Sequence, residues 1–533
     1  MATTTTSAAA PATKPGRSGL ILTTLILGAI VANVNTSISN VALPDIGRAL
    51  DATNTQLTGI TDAYQLGIAA TVLYLGAIGD RYGRKKLLVL GAVLVVPFSF
   101  LSAFASGSWE LMAAQIAVGI AGGMLYPTTL SLISALYSGA ARTRAIALWT
   151  GIGGGASVFG PLLGGWLLEQ FWWGSVFLIT VPLAVLVVVL AMACIPRRAG
   201  ENDTPVDHRG GVASVVALST FVLGIVLLPN GFSPVVIGLF VVALVAGAAF
   251  FVRQSRAAHP LFNLKVAAEP TFWVAFTAGI VAFGALVGAL FLGQQFTQNV
   301  LGLSPFDAVL LTIPIGLTMI VSSPIAGRLL MRIGGRNTML VGFGALAVGF
   351  AIMMVAWRPG ASVAWVVAAY AIHGIGIGFG STPATHALSA STPVRQAGMG
   401  SASADLMKDL GGAVFQALLG SVLAVVYGRY LGRAYAQLPP AQAQALGEEN
   451  AEKIRLSIES AEDVARSFPQ PTSGRIVDAA QQAFTEGKSV AIALALFTVV
   501  VASALVLWKF PRRDAEIAAY AAIDEQDAAA EAA

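Results

Sequence analysis

Fourteen runs of mostly apolar residues constrain this chain more than any other feature. Each has about the 20 residues needed to cross the hydrocarbon core of a bilayer. They lie near 19–44, 56–79, 87–106, 110–137, 145–168, 173–195, 211–229, 232–252, 271–299, 306–327, 337–357, 362–390, 397–428 and 489–509. The expected fold is all-α and polytopic, with 14 transmembrane helices. Composition agrees: only 11% of residues are charged, against about 25% in a soluble domain. The 56% hydrophobic content, the lone Cys194 and a net charge of only +4 exclude disorder, a disulfide scaffold and nucleic-acid binding. The first run is too long for a cleaved signal peptide and lacks a small-residue cleavage site.

An even number of spans puts both termini on one side, and the basic residues say which. With cytoplasmic termini, the inner face holds 21 of the 31 Lys and Arg, while the short outer loops hold only Arg48 and Arg358. Seven more lie in a long outer loop, 429–488, and Lys408 lies within a span. Residues 1–18 and 511–533, rich in Ala with Thr or acids, read as disordered cytoplasmic ends. In the outer loop, Ile454, Ile458, Ala461, Val464, Ala465 and Phe468 recur at helical spacing. They predict a short amphipathic helix on the outer rim; the alternative is a solvated linker. A periplasmic or surface partner would dock on this loop.

Metal-ligand spacing and a nucleophile–base constellation are both missing, and no cofactor is expected. The histidines, His208, His259, His373 and His386, are dispersed. Gly151, Gly153, Gly154 and Gly155 lack the strand and the Lys-Ser/Thr of a phosphate loop and read as close helix packing. What remains are ionisable groups inside spans, each costing about 2.5–3.5 kcal/mol or more unless paired or hydrated. Three of the 27 acids qualify: Asp62 in the second run, and Asp405 and Asp409 in the thirteenth. Asp405 and Asp409 share a helix face with Lys408, and Asp409 lies about 18 Å along its helix, near mid-membrane. Burial disfavours an ionised carboxylate, which suits a group that binds and releases a proton. An Asp–Lys pair that only ties helices together is the plainer reading, and Asp62 could sit in an outer vestibule. Phe291, Gln294, Gln295, Phe296 and Gln298 in the ninth run are candidates for lining a cavity, or else ordinary packing.

Two loops and one span carry a resemblance. Gly76-Ala-Ile-Gly79-Asp80-Arg81-Tyr82-Gly83-Arg84-Lys85-Lys86 resembles the loop signature of the major facilitator superfamily. A weaker second copy runs from Gly327-Arg328 through Arg332 to Gly334-Gly335-Arg336. Gly160-Pro161-Leu-Leu-Gly164-Gly165 looks like the antiporter motif of that family's exporters. Asn40-Val-Ala-Leu-Pro44 and Phe177-Leu-Ile-Thr-Val-Pro182 resemble its fourteen-span drug/proton antiporter branch. The resemblance implies two six-helix pseudo-symmetric halves, 19–195 and 270–510, joined by two extra central helices within 196–269. It assigns a cytoplasmic gate to Gly76, Asp80, Arg81, Gly83 and Arg84, and a leak seal to Gly160, Pro161, Gly164 and Gly165.

The sequence departs from that branch at two positions. The acid usual in the first span is Asn35, and the arginine usual in the fourth is Gln115. Losing both charges of a buried pair need not be costly, whereas losing one costs about 3–5 kcal/mol; the joint change is coherent if the two positions meet. Asp62, Asp405 and Asp409 align with acids of quaternary-ammonium and multidrug exporters, and Lys408 is unusual beside them.

The resemblance thus implies a transporter rather than an enzyme: proton-coupled efflux of lipophilic small molecules across the bacterial cytoplasmic membrane. Its partners would be the substrate, protons and the lipid bilayer, with no nucleic acid. The proton-coupling and substrate candidates are Asp62, Asp405, Asp409, Lys408, Asn35 and Gln115. One alternative keeps the fold but exports a lipid or metabolite. A membrane sensor or enzyme would need a soluble domain that no segment is long enough to form.

Overall fold

A computed structural model describes residues 15–52, 54–196, 205–227 and 233–532, and every regular element among them is helical. The helices are α1 (Pro15–Leu50), α2 (Asn54–Tyr82), α3 (Arg84–Ala103), α4 (Ser108–Leu136), α5 (Gly139–Gln170) and α6 (Ser175–Cys194). Then come α7 (His208–Leu227), α8 (Pro234–Arg256) and α9 (Pro270–Val300). The stretch Ile313–Ala356 is broken at Gly334 (φ 83, ψ 167), giving α10 (313–333) and α11 (335–356). Last are α12 (Val363–Ala390), α13 (Ala397–Ala436), α14 (Thr472–Lys509) and α15 (Arg513–Ala532).

Local chemistry sets several boundaries. Gly83 separates α2 from α3 with φ 116, a region that favours glycine. Pro234 and Pro270 open α8 and α9, where a missing N–H costs nothing. Ser233 and Ser362 cap α8 and α12 by accepting from the N–H groups of Val236 and Ala364.

Twelve helical stretches among the described residues are long and apolar enough to cross a membrane. That differs from fourteen for two physical reasons. Pro305–Ala356 counts as one stretch although Gly334 interrupts it, and the more polar α2, with Asp62, Asp80 and Arg81, is not among the twelve.

Both expected disordered ends need comment. Residues 1–14 lie outside the described residues, and Pro15–Ser18 already belong to α1. The C-terminal tail, expected to be disordered, is instead the helix α15. Its alanines favour helix, and Asp514 and Glu516 in its first turn complement the helix dipole. In the outer loop the apolar spacing produces three short helices, Pro440–Leu446, Glu448–Leu456 and Ile458–Ala465. Gly447 (φ 76) and extended Ser457 break them, and the Ser457 hydroxyl caps the third by accepting from Ser460. Ile454, Ile458, Ala461, Val464 and Ala465 are all buried. The Tyr427 hydroxyl on α13 donates to the Ile454 carbonyl at 3.1 Å, so the loop is packed down onto the bundle.

Two contacts between distant parts of the chain frame the site. In one, α2 lies against the start of α13, with α7 packed beside both. In the other, α5 lies against α10, where Gly151 faces Ser323, Gly155 faces Ile320 and Gly327 faces Ala147. A Cβ on Gly327 would lie 2.7 Å from that of Ala147, so the glycine is what permits this approach.

Candidate functional site

The thirteenth run does bring its three ionisable residues together. Asp405 is fully buried, and its Oδ1 is 3.1 Å from Lys408 Nζ. Asp409 Oδ1 is 3.9 Å from the same nitrogen. The ammonium also donates to Asn33 Oδ1 on α1 at 3.3 Å and lies 4.1 Å from the centre of the Tyr126 ring on α4. A cation on an aromatic face away from bulk water gains about 2 kcal/mol. Trp149 on α5 backs Tyr126 at 4.8 Å between centroids and is itself fixed by donating to Thr129. Three helices, α13, α1 and α4, thus converge on one ammonium, and α5 backs the aromatic face. Asp405 Oδ1 is held by the ammonium, whereas Oδ2 of Asp405 and Oδ2 of Asp409 have no hydrogen bond, which is unusual for carboxylate oxygens shielded from water. Two acids against one Lys leave a net charge of about −1 when all are ionised. Such a site can hold a proton or an organic cation.

The remaining polar candidates stand apart. Asn35 donates to the Val31 carbonyl at 3.0 Å and to Thr180 on α6 at 3.4 Å. Gln115 donates to Ser102 on α3 at 2.9 Å. The two amides do not bond to each other and neither bonds to Lys408 in this conformation. Asp62 is half-buried on α2 and has no hydrogen bond or ion pair among the described residues. Of the span-nine candidates, Phe296 is fully buried and stacked on Trp357 at 5.0 Å, so it is packing rather than lining.

The first loop forms a charged clamp. Arg84, fully buried, donates from Nε to Asp80 Oδ1 at 2.9 Å and from Nη2 to the Val394 carbonyl at 2.5 Å. Asp80 in turn accepts the Gly398 N–H on both oxygens, at 3.0 and 2.9 Å. Gly398 is the second residue of α13, so a carboxylate sits on the positive end of that helix. Gly76 makes the approach possible, because a Cβ there would lie 2.7 Å from the Gly398 carbonyl oxygen. Gly83 supplies the turn and Arg81 is half-buried beside it. On α5, Arg142 bonds the Ser389 carbonyl and hydroxyl of α12, adding a second link at this end.

In the antiporter-like stretch, Gly160 and Gly164 are buried and Pro161 and Gly165 half-buried. A Cβ on Gly164 would meet Ile38 of α1 at 3.0 Å. The helix continues through Pro161, and the irregularity in α5 is the π-helical turn Trp149–Gly153 just before it.

The second loop is closed differently. Its acid comes from α15: Glu516 accepts the Gly335 N–H at 2.8 Å, capping α11. Burial pushes the Glu516 carboxyl above the ordinary glutamate range, against the opposing pull of that N–H. Further along α15, Tyr520 packs on His386 and Asp527 accepts the Val394 N–H at 2.8 Å. One residue, Val394, therefore joins the Arg84 clamp, through its carbonyl, to the C-terminal helix, through its N–H.

Sequence reasoning passed over three residues. Asn33 and Tyr126 look like isolated polar groups in apolar runs and gain meaning only from Lys408 opposite. Lys488, at the edge of the last run, is fully buried and donates to the Met353 and Trp357 carbonyls at 3.0 and 2.5 Å, capping the end of α11.

Comparison with known proteins places this architecture. The family model of the Major Facilitator Superfamily matches residues 25–416. The multidrug efflux pump LfrA of Mycolicibacterium smegmatis is 31% identical, over 93% of this chain and 97% of its own. The methyl viologen resistance protein SmvA of Salmonella typhimurium is also 31% identical, over 90% and 95%. The drug efflux pump JefA of Mycobacterium tuberculosis is 30% identical, over 92% and 97%. Among solved structures, the proton:xylose symporter XylE matches with a TM-score of 0.59 at 16% identity, over 93% of this chain and 96% of that one. The chain belongs to the major facilitator superfamily, and is a multi-pass membrane transporter of small substrates rather than an enzyme.

Proposed function

We propose that this protein exports lipophilic, cationic small molecules across the bacterial cytoplasmic membrane in exchange for protons. The observation that carries the reading is the Asp405–Lys408–Asp409 cluster, with Asp405 buried and Lys408 and Asp409 half-buried, held between α13, α1 and α4 with one carboxylate oxygen of each acid lacking a hydrogen bond. The efflux activity of LfrA and JefA and the methyl viologen resistance conferred by SmvA support this reading, and methyl viologen is itself an organic dication.

The chain crosses the membrane fourteen times in this reading, with α2 as a span and α10 and α11 counted separately. Two six-helix halves, 19–195 and 270–510, flank the extra pair α7 and α8, and both termini are cytoplasmic. The Asp80–Arg84 clamp and the Arg142–Ser389 link then lie on the cytoplasmic side, and the described conformation is closed there. Lys408 neutralises one carboxylate, and the other carries either a proton or the substrate's charge. A proton arriving from outside displaces the cation outward; the clamp opens, the proton leaves inward, and the site accepts new cargo. Asp62 stands nearer the outer end as a vestibule acid, and Gly160, Pro161, Gly164 and Gly165 keep α5 tight against leak.

The test is ethidium efflux from proteoliposomes with and without an imposed proton gradient. Wild type should move ethidium only with the gradient and be inhibited by methyl viologen. Asp405→Asn and Asp409→Asn should fall to the no-gradient rate while inserting normally. Gradient-driven efflux at the wild-type rate in both variants would overturn the proposal.

A further inference from the structure

The two loops that resemble each other differ at the position that makes the first one a clamp. Asp80 stands four residues after Gly76; the residue four after Gly327 is Met331. In the first seam Asp80 neutralises Arg84 and caps α13, and α7 and α8 cover it from the side through Ala213 and Phe250, packed near Val72, Leu73 and Ala402. The second seam, between α5 and α10, has no acid at the corresponding position, Met331.

At that place is a cavity of about 640 Å³. Three arginines line it, Arg144 from α5 with Arg328 and Arg332 from α10, and no acid does. All three are exposed, and none makes a hydrogen bond or ion pair among the described residues. The rest of the lining is apolar: Leu148, Pro324 and Met331 among others. Three guanidinium groups around one cavity repel one another unless an anion joins them, and guanidinium prefers phosphate.

The cavity adjoins an exposed apolar surface. Leu317, Val321 and Ile325 form an exposed apolar stripe on α10, 52%, 63% and 44% accessible, and Arg328 and Arg332 continue that stripe at helical spacing. An occupant entering here meets acyl-chain surface first and three positive charges at the end of it. Basic pockets between transmembrane helices are suited to anionic headgroups.

We propose that this cavity binds the phosphate of an anionic phospholipid, with an acyl chain along Leu317, Val321 and Ile325. The lipid stands where the second loop lacks an acid, and it joins α5 to α10 as Asp80 joins α2 to α13. Only the leaflet, the cytoplasmic one, rests on the orientation proposed above; the site itself does not depend on it.

The test uses the full-length protein in neutral detergent. Native mass spectrometry of wild type offered equal phosphatidylglycerol and phosphatidylcholine should show retained phosphatidylglycerol, and thermal unfolding should shift upward and saturate with that lipid alone. The Arg144→Gln/Arg328→Gln/Arg332→Gln variant should lose both effects. A control that removes three exposed charges elsewhere, Lys86→Gln/Arg256→Gln/Lys265→Gln, should keep them. Equal retention of the two lipids by wild type would overturn the proposal without reference to any variant. So would a phosphatidylglycerol response unchanged in the triple arginine variant, or an equal upward shift with inorganic phosphate, which would make the site one for soluble anions. Transport plays no part in these readouts, so they stand or fall separately from the efflux proposal.

Discussion

The first and second loops share glycines and arginines but hold their neighbours by different means. In the first, an acid within the loop itself grips the start of α13, and Arg84 grips the Val394 turn just ahead of it. In the second, the loop supplies only arginines. The capping acid, Glu516, arrives from a C-terminal helix and stays next to the loop on α11 instead of reaching across to α5. The first contact is thus an internal lock and the second a seam with room for an outside anion. On the two proposals made above, the same motif would serve as a gate or as a receptor for a ligand, according to whether one position carries a carboxylate.

The largest effect should come from breaking the lock. Asp80→Asn leaves Arg84 buried without its charge partner, a change costing about 3–5 kcal/mol. Gradient-driven ethidium efflux should fall at least about tenfold, since 1.4 kcal/mol is already a factor of ten. Cysteine labelling of introduced sites near Gly398 should increase as the closed state loses population; unchanged labelling and transport would mean that the clamp is ornamental.

Gly398→Ala attacks the same lock sterically, because a Cβ there overlaps the Gly76 carbonyl and the Asp80 carboxylate. A loss of about 1–3 kcal/mol is expected from overpacking. It should appear as a lower unfolding temperature and a slower efflux rate than wild type.

Met331→Asp sharpens the comparison by giving the second loop the missing acid. The new carboxylate would face Arg144, Arg328 and Arg332 and should stabilise the protein by up to about 1 kcal/mol, as exposed pairs do. Thermal unfolding should rise slightly and cease to depend on phosphatidylglycerol. A protein that stays equally lipid-dependent would mean that the two loops are not comparable.

The smallest effect concerns pH. The Glu516 carboxyl is raised by burial, so the folded protein holds its proton more tightly than the unfolded chain does. Stability from this group is full below its unfolded value and declines as pH rises through the raised folded value. In Glu516→Gln that part of the slope should vanish from unfolding temperatures measured across the carboxylate range.

Much of this was legible in the sequence for identifiable reasons. Helices follow from apolar length, and Asp405, Lys408 and Asp409 share a face because their spacing is three and four. The clamp was legible as a motif but not as a geometry. Nothing in Asp80 indicates that its partner is the Gly398 N–H, 318 residues away. The same holds for Asn33 and Tyr126, whose role depends on how α1 and α4 pack against α13. Composition misled at the tail, where Ala-rich acidic sequence is compatible with both disorder and helix until Glu516, Tyr520 and Asp527 find partners. The partners of Asn35 and Gln115 were equally hidden: Asn35 bonds the Val31 carbonyl and Thr180, and Gln115 bonds Ser102.

The central claim is that the α13 carboxylates exchange protons for cationic cargo. It is tested most directly by adding ethidium to purified protein in weakly buffered detergent and following pH with an indicator dye while binding is read by fluorescence. The account predicts proton release in proportion to ethidium bound, lost in the Asp405→Asn/Asp409→Asn double variant. Ethidium binding without proton release, or release that is unchanged in the double variant, would contradict it.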